Sequence, residues 1–195
     1  MILPSENGVS RVFVTIHTLK KTTEDIFKMK ETNISSSTLN LAYAAVLAAV
    51  YAVITYMTAP ISFGPIQFRI SEALCILPVF MPAAVPGLFV GCFLANFLSG
   101  AAIMDVVFGS IATLIGAIGT RALRNKGALA AVPPIVSNAL IIPFVLRYAY
   151  GVEDLIPFMM LTVGIGEVIS VGILGNALRT VLERCGKRFF VPEQV

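Results

Sequence analysis

Six polar side chains stand inside otherwise apolar stretches of this 195-residue chain: Arg69, Glu72, Asn96, Asp105, Asn138 and Glu167. A carboxylate can accept paired N–H donors or neutralise a cation, and an amide beside it can read a neighbouring donor or carbonyl. A charge in lipid costs about 2.5–3.5 kcal/mol at the bilayer centre on insertion scales, so an embedded Arg or Glu reads by default as part of a functional site. Arg69 and Glu72 are three residues apart in the run FGPIQFRISEALCIL, 63–77. Glu167 lies about twelve residues into a span that opens at Leu155, roughly 18 Å deep at 1.5 Å per residue, with no helix end to cap. Asn138 enters from the opposite side some six residues along the preceding helix, which predicts a similar depth. The pair is expected to floor a polar pocket whose walls and mouth carry Arg69, Glu72, Asn96 and Asp105.

Each residue also has a purely structural reading. Glu72 and Asp105 fall in the first turns of their helices, where a carboxylate satisfies free N–H groups and the helix dipole. Arg69 can snorkel to an interface or pair with Glu72 at i,i+3. Asn96 and Asn138 can act as interhelical hydrogen-bond glue.

Other chemistries are excluded by composition. His17 is the sole histidine and precedes the apolar region, so no H-E-x-x-H metal site and no embedded Ser/His pair exists. Asp105 is the one embedded aspartate, which rules out a diaspartyl protease. The G-x-x-x-x-G-K-[ST] loop is absent, so any ATP-driven step needs another chain. The reading is of a protein that is not an enzyme and needs no cofactor or metal.

The elements that must position these groups are membrane spans. The chain is 57% hydrophobic and 13% charged with mean hydropathy +0.88, against about 45–50% and about 25% in soluble proteins. About 20 residues cross a hydrocarbon core of roughly 30 Å. Pro/Gly punctuation divides the apolar field into six spans: Leu39–Thr58, Arg69–Val85, Pro86–Ser99, Met104–Leu123, Val132–Tyr150 and Leu155–Leu182. The second and third are short and could instead form a broken, partly re-entrant hairpin lining a cavity. Twelve of the 14 basic residues precede Leu39, fall at Arg121, Arg124 and Lys126, or lie from Arg179 onward. The positive-inside rule then predicts an all-α, six-helix bundle of the cell membrane with both termini cytoplasmic. Net charge +3 requires no nucleic-acid partner.

Residues 1–38 are expected to be a cytoplasmic extension, 39–182 the membrane domain and 183–195 a cytoplasmic tail. The extension lacks the apolar core of a secretory signal. Met29 is a candidate true start, because Thr23-Glu24-Asp25 can be encoded with GGAGGA at ribosome-binding distance. Cys75 and Cys92 fall within spans and Cys185 in the tail, so buried apolar cysteine is expected rather than a disulfide framework.

Two further features bear on function. The apolar, Gly/Pro-rich loop 60–68 suits a lid, with Phe63 and Phe68 stacking on a flat ring and Gln67 between them. On the first span Ala44, Ala48 and Ala52 recur every fourth residue, as do Ala45 and Ala49. Such a small-residue stripe lets another helix approach closely, within the bundle or from a partner.

The chain from about Leu39 to Leu182 resembles the QueT family, substrate-binding S components of energy-coupling-factor (ECF) transporters for queuosine precursors. The resemblance lies in FGPIQFRISEAL (63–74), PAAVPGLFVGCFLAN (82–96), MDVVFGSIATL (104–114), PPIVSNALI (133–141) and IGEV (165–168). It implies a six-helix bundle with its ligand site near the outer face and 7-aminomethyl-7-deazaguanine or a close relative as substrate. It also implies an alanine motif docking a membrane coupling subunit, and two partner ATPases. An S component for another vitamin-like molecule, or an assembly subunit without ligand, are the rival readings.

Overall fold

A computed structural model of the chain describes residues 36–58 and 68–185. The chain separates into two compact units, Met1–Leu39 and Asn40–Val195, and of the first only the opening turn of a helix, Ser36–Leu39, is among the described residues. The Met29 start, Phe63, Gln67 and most of the lid loop lie outside them.

Among the described residues six main helices follow in order: α1 (Ser36–Met57), α2 (Ile70–Val79), α3 (Ala84–Leu98), α4 (Ile103–Ala122), α5 (Val132–Ala149) and α6 (Ile156–Cys185). No strand occurs among the described residues. Pro133 and Pro134 open α5 and Pro157 opens α6, at first-turn positions where a missing N–H costs nothing. Gly100 and Gly151 take positive φ (70° and 66°) in the turns after α3 and α5, a conformation that side chains resist.

Four of the six are long and apolar enough to cross a bilayer: α1, α4, α5 with its preceding turn (Gly127–Ala149), and α6. The sequence-expected second and third spans are shorter. Ten residues of α2 are wound as a 3-10 helix, about 20 Å at about 2.0 Å per residue, and the 15 residues of α3 reach about 22 Å at 1.5 Å per residue. Pro78, Pro82 and Pro86 account for this: they interrupt the ladder of amide donors that a full span requires.

Polarity is inverted relative to a soluble protein. Leu41, Val46, Phe97, Ile103, Phe158 and Leu161 are exposed, while Arg69, Glu72, Asn96, Asp105, Asn138 and Glu167 are buried. Large apolar side chains along all the long helices thus face outward, as a hydrocarbon solvent requires. The protein is an all-helical, multi-pass membrane protein.

Glycines set the closest approaches. A Cβ at Gly87 of α3 would lie 2.8 Å from the Ala44 carbonyl oxygen of α1, and one at Gly91 would lie 3.0 Å from Ala48 Cα and 2.9 Å from Tyr51 Cβ. Gly116 and Gly119 of α4 meet Pro134 and Pro133 of α5 in the same way, a Cβ at Gly116 falling 2.6 Å from Pro134 Cα and one at Gly119 against Pro133 Cβ. Helices without a hydrophobic force between them in lipid gain from such backbone contact.

This packing splits the alanine stripe. Ala48 and Ala52 are buried and Ala44 is half-buried against Gly87, whereas Ala45 and Ala49 are exposed. Ala44 and Ala48 thus meet α3 of the same chain, while Ala45 and Ala49 lie on the exposed side of the helix.

Candidate ligand-binding site

The inner face of α1 continues past Ala48 to Tyr51 and Thr55, both fully buried. Tyr51 Oη donates to Glu72 Oε1 at 2.6 Å, and Thr55 Oγ1 shares a 2.6 Å hydrogen bond with Ser71 Oγ. Because a 3-10 helix eclipses residues i and i+3, Glu72 and Cys75 of α2 stand one above the other. Cys75 Sγ donates to Glu72 Oε2 at 2.8 Å. Both oxygens of Glu72 are thus engaged by side chains, not by the helix N-terminus.

A second group forms where α3, α4 and α5 end together. Asn96 Nδ2 donates to the Asp105 carbonyl oxygen at 3.2 Å and contacts Cys92 Sγ at 3.6 Å. Arg69 reaches across from the start of α2, its Nη2 lying 3.7 Å from Asp105 Oδ2. The same oxygen accepts from Tyr150 Oη at 3.0 Å, and that hydroxyl accepts from the Ala102 amide at 3.1 Å. Tyr150, closing α5, therefore pins the first turn of α4. Arg69 is buried and does not snorkel to an interface.

The third group joins α5 to α6. Asn138 Nδ2 donates to Glu167 Oε1 at 2.9 Å, so the two residues expected at one depth are in contact. From Val168 to Gly175 helix α6 is wound as a π-helix, a rare geometry frequent at functional sites. Ser170, inside it, is fully buried.

The three groups act on one another electrostatically, since the Glu167 carboxylate lies within reach of the charges on Glu72 and Arg69. Among the described residues the buried ionisable set has three carboxyls, Glu72, Asp105 and Glu167, and one guanidinium, Arg69. Across the three groups Asn96 Oδ1, Asp105 Oδ1, Glu167 Oε2 and Ser170 Oγ are buried with no hydrogen-bond partner. An unsatisfied buried acceptor costs about 1–3 kcal/mol, and several together call for an external donor. No group of three or more His, Cys, Asp or Glu side chains among the described residues could hold a metal. Phe68 is half-buried at the entrance to α2.

Sequence reasoning did not single out Tyr51, Tyr150 or Ser170 as part of this cluster, and treated Cys75 as apolar filling. Tyr51 and Thr55 carried a signal, being the polar members of the Ala44/Ala48 helical row. Tyr150 gave none, because its partner lies 45 residues away in a separate helix.

A profile of the QueT transporter family matches residues 41–184, a stretch holding every member of the cluster from Tyr51 to Ser170. The chain belongs to the QueT transporter family. The Queuosine precursor transporter QueT of Lactococcus lactis subsp. cremoris (strain MG1363) is similar to it, 37% identical over 82 residues, or 41% of this chain and 48% of that protein. The match thus spans about half the length of that relative. No solved structure matches the chain significantly. Membership in a transporter family agrees with the buried polar cluster: QueT proteins are carriers, and a carrier needs buried groups that a cargo satisfies.

Proposed function

We propose that this chain is the substrate-binding S component of an ECF importer and that its cargo is a 7-deazaguanine precursor of queuosine. The observation that carries the reading is the set of open, buried acceptors, found in a chain of the QueT family. A guanine-like ring presents adjacent N–H donors. Glu167 Oε2 is free to accept from them while Asn138 holds the other oxygen, and Ser170 adds a hydroxyl that donates or accepts. A cationic aminomethyl arm would offset the surplus of carboxyls over the single guanidinium, at Glu72 or at Asp105. Phe68, with Phe63 and Gln67, covers the ring.

With no P-loop in the chain, energy comes from two ATPases through a membrane coupling subunit, which reorients this protein to release cargo inward. Both termini are cytoplasmic and the membrane is the cell membrane. The test is calorimetric titration of the purified chain with 7-aminomethyl-7-deazaguanine and with guanine, alongside mass spectrometry of any retained small molecule. Saturable binding of the deazapurine supports the reading. Retention of an unrelated molecule would make the chain a carrier for another substrate, and no binding at all would make it an assembly subunit.

A further inference from the structure

The three buried carboxyls are equally hidden but not equally available. Glu72 has both oxygens engaged, by Tyr51 and by Cys75. Asp105 shares one oxygen between Arg69 and Tyr150, and its Oδ1 has no partner. Asn96 is fully buried beside it with an unpartnered Oδ1 of its own. One turn along α4 the chain has Gly109, where a Cβ would stand 3.0 Å from Asp105 Oδ1 and 3.0 Å from Asn96 Nδ2. A side chain there would press directly on these groups.

We infer that Asn96, Asp105 and Gly109 form an ammonium subsite, which receives the protonated primary amine of the cargo. The inference rests on the deazaguanine reading above and deepens it, choosing Asp105 over Glu72. The chemistry is selective. A primary ammonium has three N–H donors and no acceptor, and Asp105 Oδ1 is a buried carboxylate oxygen that lacks a donor, while Asn96 holds the Asp105 carbonyl through Nδ2. Arg69 and Tyr150 hold the other carboxylate oxygen and so fix the plane in which Oδ1 is presented. Arg69 is paired with Asp105 through Oδ2, which leaves Oδ1 to the incoming ammonium. An added positive charge is therefore favoured there and an uncharged group of the same size is not.

The experiment compares 7-aminomethyl-7-deazaguanine with 7-cyano-7-deazaguanine, which keeps the ring and replaces the ammonium by a nitrile. The unaltered protein should bind the amine about tenfold or more tightly than the nitrile, the worth of one charge-assisted hydrogen bond. That ratio should collapse to near one in Asp105→Asn and, with the Arg69–Asp105 pair left in place, in Gly109→Ala. It should persist in Glu72→Gln. Equal binding of both compounds to the unaltered protein overturns the subsite while leaving the deazaguanine reading standing. Binding of neither overturns both. A ratio that survives Asp105→Asn and Gly109→Ala but collapses in Glu72→Gln moves the ammonium to Glu72 and overturns the assignment. Because the first comparison uses the unaltered chain, it can overturn the subsite even if a variant fails to fold.

Discussion

Glu72 and Glu167 are the same residue type at nearly the same burial, 1% and 4% exposed, and the structure treats them in opposite ways. Glu72 sits on a short 3-10 helix and is closed off, one oxygen held from α1 by Tyr51 and the other from its own helix by Cys75. Glu167 sits where α6 passes from α to π winding and is half open, with Asn138 on one oxygen and nothing on the other. Burial alone would rank them equally as ligand contacts, and the state of their hydrogen bonds separates them. A saturated buried carboxylate ties helices together. A half-saturated one holds free energy that a cargo can recover.

The largest effect expected from this contrast is at Glu167. Glu167→Gln keeps the shape and can keep the Asn138 contact but turns the open acceptor partly into a donor facing ligand donors. Affinity for 7-aminomethyl-7-deazaguanine should fall about tenfold to a hundredfold, the equivalent of about 1.5–3 kcal/mol. The thermal midpoint of the detergent-solubilised protein should change little. Calorimetry and a thermal melt on the same preparation check both halves. Unchanged affinity in a folded variant would remove Glu167 from the site and erase the contrast.

At Glu72 the split should reverse. Tyr51→Phe deletes one donor and leaves Glu72 Oε1 buried and unsatisfied, so stability should drop by about 1–3 kcal/mol. Cys75→Ser retains a donor in the same place and should be milder. The measurement is the unfolding midpoint of each variant beside its amine affinity corrected for the folded fraction. If Tyr51→Phe leaves stability intact and weakens binding, Glu72 touches the cargo after all and the two glutamates have similar jobs.

How much of this arrangement was legible beforehand follows from which forces are local. The six embedded polar residues and the all-helical class could be read from the sequence, because hydropathy and lipid cost act over a few residues. The equal depth of Asn138 and Glu167 came from counting rise along two antiparallel helices, and the 2.9 Å contact between them is the geometric consequence. The Arg69–Asp105 pair and the Tyr150 bridge were not legible, since they join segments 36 and 45 residues apart and depend on how helices rotate against each other. The 3-10 winding of α2 and the π segment of α6 were equally out of reach, because tertiary packing there overrides local preference. Rotation also divided the alanines: periodicity placed Ala44, Ala48 and Ala52 in one row and Ala45 and Ala49 in the next, and the sequence held nothing to say which row α3 would cover.

The two sides of α1 supply the last contrast, and its outward side the smallest effect on folding and binding. Ala48→Trp would drive an indole into the contact with Gly91, where even a Cβ added opposite would stand 3.0 Å from Ala48 Cα, and overpacking of this kind costs about 1–3 kcal/mol or more. Ala45→Trp places the same indole on the exposed side of the helix, where substitutions stay within about 0.5 kcal/mol. Its thermal midpoint and its affinity for the deazapurine should match those of the unaltered protein. If the Ala45/Ala49 side docks the coupling subunit, the bulky ring holds the two backbones apart and removes the dispersion contacts that favour association in lipid. Copurification with the coupling subunit and uptake by whole cells should then fall while binding stays intact. Normal uptake by Ala45→Trp and by Ala49→Trp would place the docking surface on another helix. A loss of binding in parallel with assembly would mean that the outer side of α1 also shapes the cargo site, and the inside-outside division of this helix would fail as a description of function.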